Sequence, residues 1–109
     1  MKKKIYIDFD GVLNNYAGWK GSADLFEPLL GSNKFLYSLS TIFEVYIFTT
    51  RNTMLVTEWL IKHNLRIYVS GVTNVKEPAY AYVDDRAVKF DGDYEKVIKE
   101  LAELKVWWK

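Results

Sequence analysis

Short runs of β-forming residues alternate along this chain with stretches of helical periodicity, and that alternation restricts the possible folds more than any other feature. The run from Lys4 to Phe9 reads as a buried strand that stops in the Asp10-Gly11 turn. Asn14 to Gly31, with Gly18, Gly21 and Pro28 inside it, reads as a flap or irregular loop. Ser32 is a candidate N-cap for a helix to about Ser40, with Phe35, Leu36 and Leu39 on one face. Glu44 to Thr49 is a second strand. Asn52 then caps a helix to about His63 whose apolar side carries Leu55, Val56, Trp59 and Leu60, and Asn64 marks its end. Arg66 to Val69 and Tyr80 to Val83 read as the third and fourth strands, and Ala87 to Phe90 as a short edge strand. Tyr94, Val97, Ile98, Leu101 and Leu104 follow the 3.6-residue period in a last helix to about Lys105. This order predicts an α/β layer fold with a mainly parallel sheet, whose ligands bind beyond the carboxyl ends of the strands. No repeat, linker or composition break divides the 109 residues, so a single domain over 1–109 is expected.

Composition removes several function classes. Half of the residues are apolar, enough to bury a core without a disulfide frame. The 15 Lys and Arg against 14 Asp and Glu leave a net charge of +1, which argues against nucleic acid as a partner, since phosphate neutralisation needs a basic excess. Without cysteine there is no thiolate catalysis and no Cys-type zinc site. His63 is the sole histidine, so multi-His metal sites are excluded and a Ser-His-Asp triad would depend on that one residue. Lys2-Lys3-Lys4 looks like the start of a signal peptide, but the apolar run after it meets Asp8 within three residues. No stretch approaches the roughly 20 apolar residues of a membrane span. A cytoplasmic protein with no membrane partner is expected.

The residues that stand out lie where strands end. Asp8 and Asp10 close the first strand, and if strand geometry persists to Asp10, a period of two points both side chains the same way. Paired carboxylates at one strand mouth repel unless a cation or a shared proton offsets them. Asp84 and Asp85 close the fourth strand and add two more. Four carboxylates in one crevice read most simply as a Mg²⁺ site, because that ion prefers hard oxygen ligands. The bland alternative, Asp as an ordinary turn residue, weakens when both pairs close strands of one small α/β domain. Thr49-Thr50-Arg51 ends the second strand, and a threonine hydroxyl there can donate to a phosphate oxygen. Lys76, in the loop before the fourth strand, can hold an anionic group in place.

Asp8-Phe9-Asp10-Gly11-Val12 after a hydrophobic strand, Thr49 after a second, then Lys76, then Asp84-Asp85 after another resembles the haloacid dehalogenase-like (HAD) superfamily. All four of its motifs occur in order over residues 4 to about 92, and Val72 to Phe90 resembles small bacterial and phage members with a Lys-x-Pro-Ala…Asp-Asp-Arg pattern. The resemblance implies a three-layer Rossmann-like fold, with Asp8 as the nucleophile that forms an aspartyl-phosphate and Asp10 as general acid and base. It assigns Thr49, with Thr50 as the fallback, to a phosphoryl oxygen, and Lys76 to the charge on the nucleophile and phosphoryl group. Asp8, the backbone carbonyl of Asp10, Asp84 and Asp85 would ligate Mg²⁺, Asp85 directly or through water. An acid at Asp10 marks the phosphatases and phosphomutases of the superfamily, not its dehalogenases. Response-regulator receiver domains use the same ingredients, but there the acidic pair comes first and the phospho-acceptor later, the reverse of this order.

Neither gap between motifs has room for a cap domain, so a capless member acting on a small phosphorylated substrate is expected. The alternatives are a phosphatase of nucleic-acid or nucleotide ends, and a non-catalytic module that keeps the Mg²⁺ and phosphate site without turnover. Tyr16, Trp19 and Lys20 in the flap either touch substrate or pack on the sheet edge. Arg86 either pairs with a nearby carboxylate, the favoured reading, or reaches substrate phosphate, and His63 reads as a surface or capping residue. Val106-Trp107-Trp108 either docks on the domain or forms a self-association patch.

Overall fold

The structure is a computed structural model and describes residues 2–15, 25–75, 77–84, 88–89 and 92–103. Among these residues, strands β1 (Lys3–Asp8), β2 (Phe43–Phe48), β3 (Gly71–Thr73), β4 (Ala81–Asp84) and β5 (Val88–Lys89) form one sheet in the order β3-β2-β1-β4-β5. Every pairing is parallel, so the expectation of an α/β fold with a mainly parallel sheet holds. The helices are α1 (Ser32–Ser40), α2 (Thr53–Lys62) and α3 (Tyr94–Glu103). None is long and apolar enough to cross a membrane.

The pleat explains the core. Ile5 and Ile7 of β1, Val45 and Ile47 of β2, and Ala81 and Val83 of β4 all point to one face and are buried. They form one cluster with Phe35, Leu36 and Leu39 of α1, Val56, Trp59 and Leu60 of α2, and Val97 and Leu101 of α3. The opposite face is aromatic: Tyr6 stacks on Tyr82 with centroids 5.3 Å apart and meets Tyr46 at 5.9 Å. Glu77 closes over it, its backbone N–H reaching the Tyr6 hydroxyl at 3.3 Å and its carbonyl accepting from the Tyr82 hydroxyl.

Asn52 caps α2 as expected, its side chain accepting from the N–H groups of Met54 and Leu55. Asn64, with φ 61, takes the left-handed conformation that ends such a helix. Leu55 departs from the expected apolar side and is half exposed, so the buried stripe is Val56, Trp59 and Leu60. Ser32 is not the cap of α1: Gly31 holds that position, without a side-chain bond, and Ser32 is buried as the first helical residue.

The third strand is displaced from its expected place. Arg66–Tyr68 is a 3-10 turn, closed by Tyr68 N–H to Leu65 and Val69 N–H to Arg66, and pairing with β2 begins only where Ser70 N–H meets the Val45 carbonyl at 2.7 Å. Leu65 and Val69 are buried while Ile67 is 82% exposed, which is the spacing of a helical turn and not of a strand. Strand β3 then starts at Gly71, where a Cβ would come within 3.0 Å of the Tyr46 ring.

Tyr94 joins α3 to the turn after β1. Its ring stacks on Phe35 at 4.2 Å and its hydroxyl donates to the Val12 carbonyl at 2.5 Å. Burial pushes the phenol above its ordinary value near 10, so folding favours the protonated form. The stability this group contributes is therefore fully present below pH 10 and declines as pH rises above it. In urea titrations between pH 9 and 11, the wild type should lose stability more steeply than Tyr94→Phe. Core packing gives a second expectation: Leu60→Ala costs about 2–5 kcal/mol, whereas Leu55→Ala, on the half-exposed side of the same helix, stays within about 1 kcal/mol by the same titration.

Candidate functional site

The strand order sets the location. Strands β2 and β3 add on one side of β1, and β4 and β5 on the other, so the switch in order falls between β1 and β4. A crevice opens at such a point because the connections leave in opposite directions. Asp8 is the last residue of β1, and the pairing of Ile7 with Val83 brings Asp8 and Asp84 to adjoining strand ends. Asp8 also pairs with Phe48, so Thr49 lies one residue beyond the end of β2. Asp8, Phe9, Asp10, Phe48, Thr49 and Thr50 line a cleft of about 90 Å³ at this edge.

Two larger cavities, about 280 and 400 Å³, lie between α1 and α3 and between α2 and Leu25–Glu27. Size alone does not select the chemistry. The small cleft is where carboxylates and hydroxyls from separate strand ends converge.

Asp10 reaches this cleft differently from the expected way. The strand stops at Asp8, and the chain turns through Gly11, whose φ of 81 suits glycine. The Leu13 N–H closes the turn on the Phe9 carbonyl at 3.0 Å. Strand periodicity therefore does not aim Asp10; its hydrogen bonds do. Arg51 Nε donates to both carboxylate oxygens at 3.0 Å, and Asn14 Nδ2 donates to Oδ1 at 3.0 Å. The ion pair is mostly shielded, with the Arg51 side chain 14% and the Asp10 side chain 26% exposed.

Asn14 is completely buried and uses both ends of its amide. Its Oδ1 accepts from the Gly11 N–H at 2.8 Å, while Nδ2 also donates to the Leu25 carbonyl at 2.9 Å. It bridges to Pro28, and the Asn15 N–H donates to the Glu27 carbonyl at 2.8 Å. Both ends of the expected flap are thus held at the base of the site; residues 16–24, with Tyr16, Trp19 and Lys20, lie outside the described residues.

Thr49 is buried beneath the cleft and Thr50 is exposed. The Thr49 N–H donates to the Thr73 carbonyl, and its Oγ1 accepts from the Arg51 N–H, each at 3.0 Å. A hydroxyl that accepts one bond keeps its proton for another partner. Thr49 thereby both anchors Arg51 and faces the cleft.

Lys76, Asp85, Arg86, Trp107 and Trp108 fall outside the described residues, as does the side chain of Asp84. Among the described residues no three carboxylate or imidazole groups gather closely enough to hold a metal ion. Asp8 and Asp10 are the part of the expected four-carboxylate cluster seen here. His63 caps the far end of α2, its ring 4.8 Å from Trp59. The helix rise carries it about 16 Å along the axis from the end at Asn52.

Neither Arg51 nor Asn14 belongs to the motifs legible in the sequence. For Arg51 the available signal is a cation directly after the two threonines, on a strand end that faces carboxylates. For Asn14 it is a polar residue following Val12 and Leu13, which are both buried. Set beside known proteins, the chain matches no family model, no curated protein and no solved structure.

The distinction between the two threonines is measurable. Thr49→Val leaves the Arg51 N–H without its acceptor and should cost about 1 kcal/mol or more in urea denaturation. Thr50→Val, on an exposed residue, should stay within about 0.5 kcal/mol, and Thr49→Ser should restore most of the loss.

Proposed function

We propose that this chain is a Mg²⁺-dependent phosphomonoester hydrolase of the haloacid dehalogenase-like kind, working through an aspartyl-phosphate on Asp8. The observation that carries the reading is the convergence of Asp8, Asp10 and buried Thr49 on one cleft at the carboxyl end of the central strand. The all-parallel sheet, with its switch point beside β1, supports a Rossmann-like arrangement; among the described residues α1, α2 and α3 all pack on one face of it, so the second helical layer of a three-layer fold is part of the proposal. A cleft of about 90 Å³ suits a phosphoryl group with the remainder of a small phosphomonoester outside it, since pockets that enclose a whole ligand run to roughly 300–1,000 Å³.

Asp8 attacks phosphorus, and a bond from its carboxylate oxygen forms as the ester P–O bond breaks. Asp10 gives its proton to the departing oxygen, then takes one from the water that cleaves the aspartyl-phosphate. Inorganic phosphate leaves, and both residues return to their starting forms. Thr49 donates its hydroxyl proton to a non-bridging oxygen, and Lys76 balances charge.

The donor set fits Mg²⁺. Asp8 and Asp84 end the neighbouring strands β1 and β4, and carboxylates are the hard oxygen donors that this ion prefers; the Asp10 carboxylate is already engaged by Arg51 and Asn14, so in this reading its main-chain carbonyl is the ligand. Asp8, the Asp10 carbonyl, Asp84 and Asp85 would hold the ion, which supplies the positive charge that lets a carboxylate approach a phosphate dianion.

Phosphate release from p-nitrophenyl phosphate tests this reading. Turnover should require Mg²⁺, stop with EDTA, vanish in Asp8→Asn and fall by about 10²–10⁴ in Asp10→Asn. No release from a panel of phosphomonoesters, together with no joint binding of Mg²⁺ and beryllofluoride, would remove the phosphatase reading.

A further inference from the structure

The buried amide of Asn14 has a consequence for the acid–base step. Its Oδ1 is held by the Gly11 N–H, so its Nδ2 is directed at the Asp10 carboxylate and the Leu25 carbonyl. On Asp10 the described donors are unequal: Oδ1 accepts from both Asn14 and Arg51, and Oδ2 from Arg51 alone. Arg51 spans both oxygens equally, so the Asn14 bond is what makes them unequal, and the oxygen with fewer donors is the one better able to carry a proton. The turn through Gly11 leaves Asp10 outside the strand ladder, so backbone pairing does not set this orientation.

We infer that Asn14 is a positioning residue for Asp10: it pins Oδ1 against Arg51 and so presents Oδ2 as the oxygen that passes its proton to the leaving group. The inference rests on the phosphatase reading and adds to it the group that aims the acid. Asn14 touches neither the phosphoryl group nor the leaving group; it acts only through the Asp10 carboxylate. In the balanced step, the Oδ2–H bond breaks as the ester oxygen gains that proton and leaves as the free alcohol, while the Asp8 oxygen–phosphorus bond forms.

Leaving-group dependence separates positioning from general support of the fold. A nitrophenolate departs with little help, whereas an alkoxide needs the proton. The test compares kcat/KM for p-nitrophenyl phosphate and for an alkyl phosphomonoester in the wild type, Asn14→Asp and Asn14→Ser. Because kcat/KM for this scheme ends at departure of the leaving group, the later water step does not enter it. Asn14→Asp keeps the size and the acceptor for Gly11 but sets a second carboxylate against Asp10 in place of the amide donor; Asn14→Ser adds no charge, keeps a smaller acceptor and cannot span the same distance.

The expected result is a loss of roughly 100-fold for the alkyl ester against roughly tenfold or less for the aryl ester, in whichever variant remains folded by thermal melting. Equal losses on both esters, with an active wild type, would overturn the positioning role and leave the phosphatase reading intact. Failure of both variants to fold would overturn it as well, because Asn14 would then be a fold determinant. A wild type inactive on both esters would overturn the reading and this inference together.

Discussion

The pairing of β1 with β2 on one side and β4 on the other is the constraint on which the rest of the molecule depends. It buries Ile5 and Ile7 completely, each contributing about 1.5–3 kcal/mol of apolar burial. It also brings the ends of three strands to one edge. Because β1 is central, a residue at its carboxyl end has neighbours on both sides, and Asp8 has Thr49 near one flank and Asp84 near the other. A slip of one residue in either pairing would turn the Ile5 and Ile7 face outward and misplace the acid at the same time. Core burial therefore protects the geometry of the edge.

That edge carries an electrostatic load. Asp8 and Asp10 stand close together at the mouth of a strand whose interior is apolar. The compensation for Asp10 is local and well defined: one guanidinium nitrogen reaches both of its oxygens, and a buried amide takes one of them. Each partner is itself held, Arg51 by the Thr49 hydroxyl and Asn14 by the Gly11 N–H. A charged group oriented by donors that are themselves fixed has few alternative positions, which is the condition for preorganised chemistry. Tyr94 extends the support outward by binding the Val12 carbonyl, so α3 braces the same turn.

Much of the local structure was legible in the chain because it depends on near neighbours. Asn52 caps α2 by reaching two and three residues ahead, and Asn64 ends that helix through its own backbone preference. The apolar runs that became β1, β2 and β4 are within a residue of where their composition put them. Where the reading failed, tertiary packing outweighed local preference. Arg66–Val69 has β-forming residues, yet burial of Leu65 and Val69 against the core bends it into a turn and moves the strand to Gly71. Ser32 has the chemistry of a cap but was drawn into the core, and Gly31 took the position.

The same division holds at the candidate site. Hydrophobic runs and turn residues, read along the chain, put Asp8, Asp10 and Thr49 at strand ends. The packed fold set β4 on the far side of β1 from β2 and took Asp10 out of the strand. It also decided that Arg51, 41 residues away, would meet Asp10. Strand order and side-chain partnership across such distances depend on how whole elements pack, and no window of neighbouring residues contains that information.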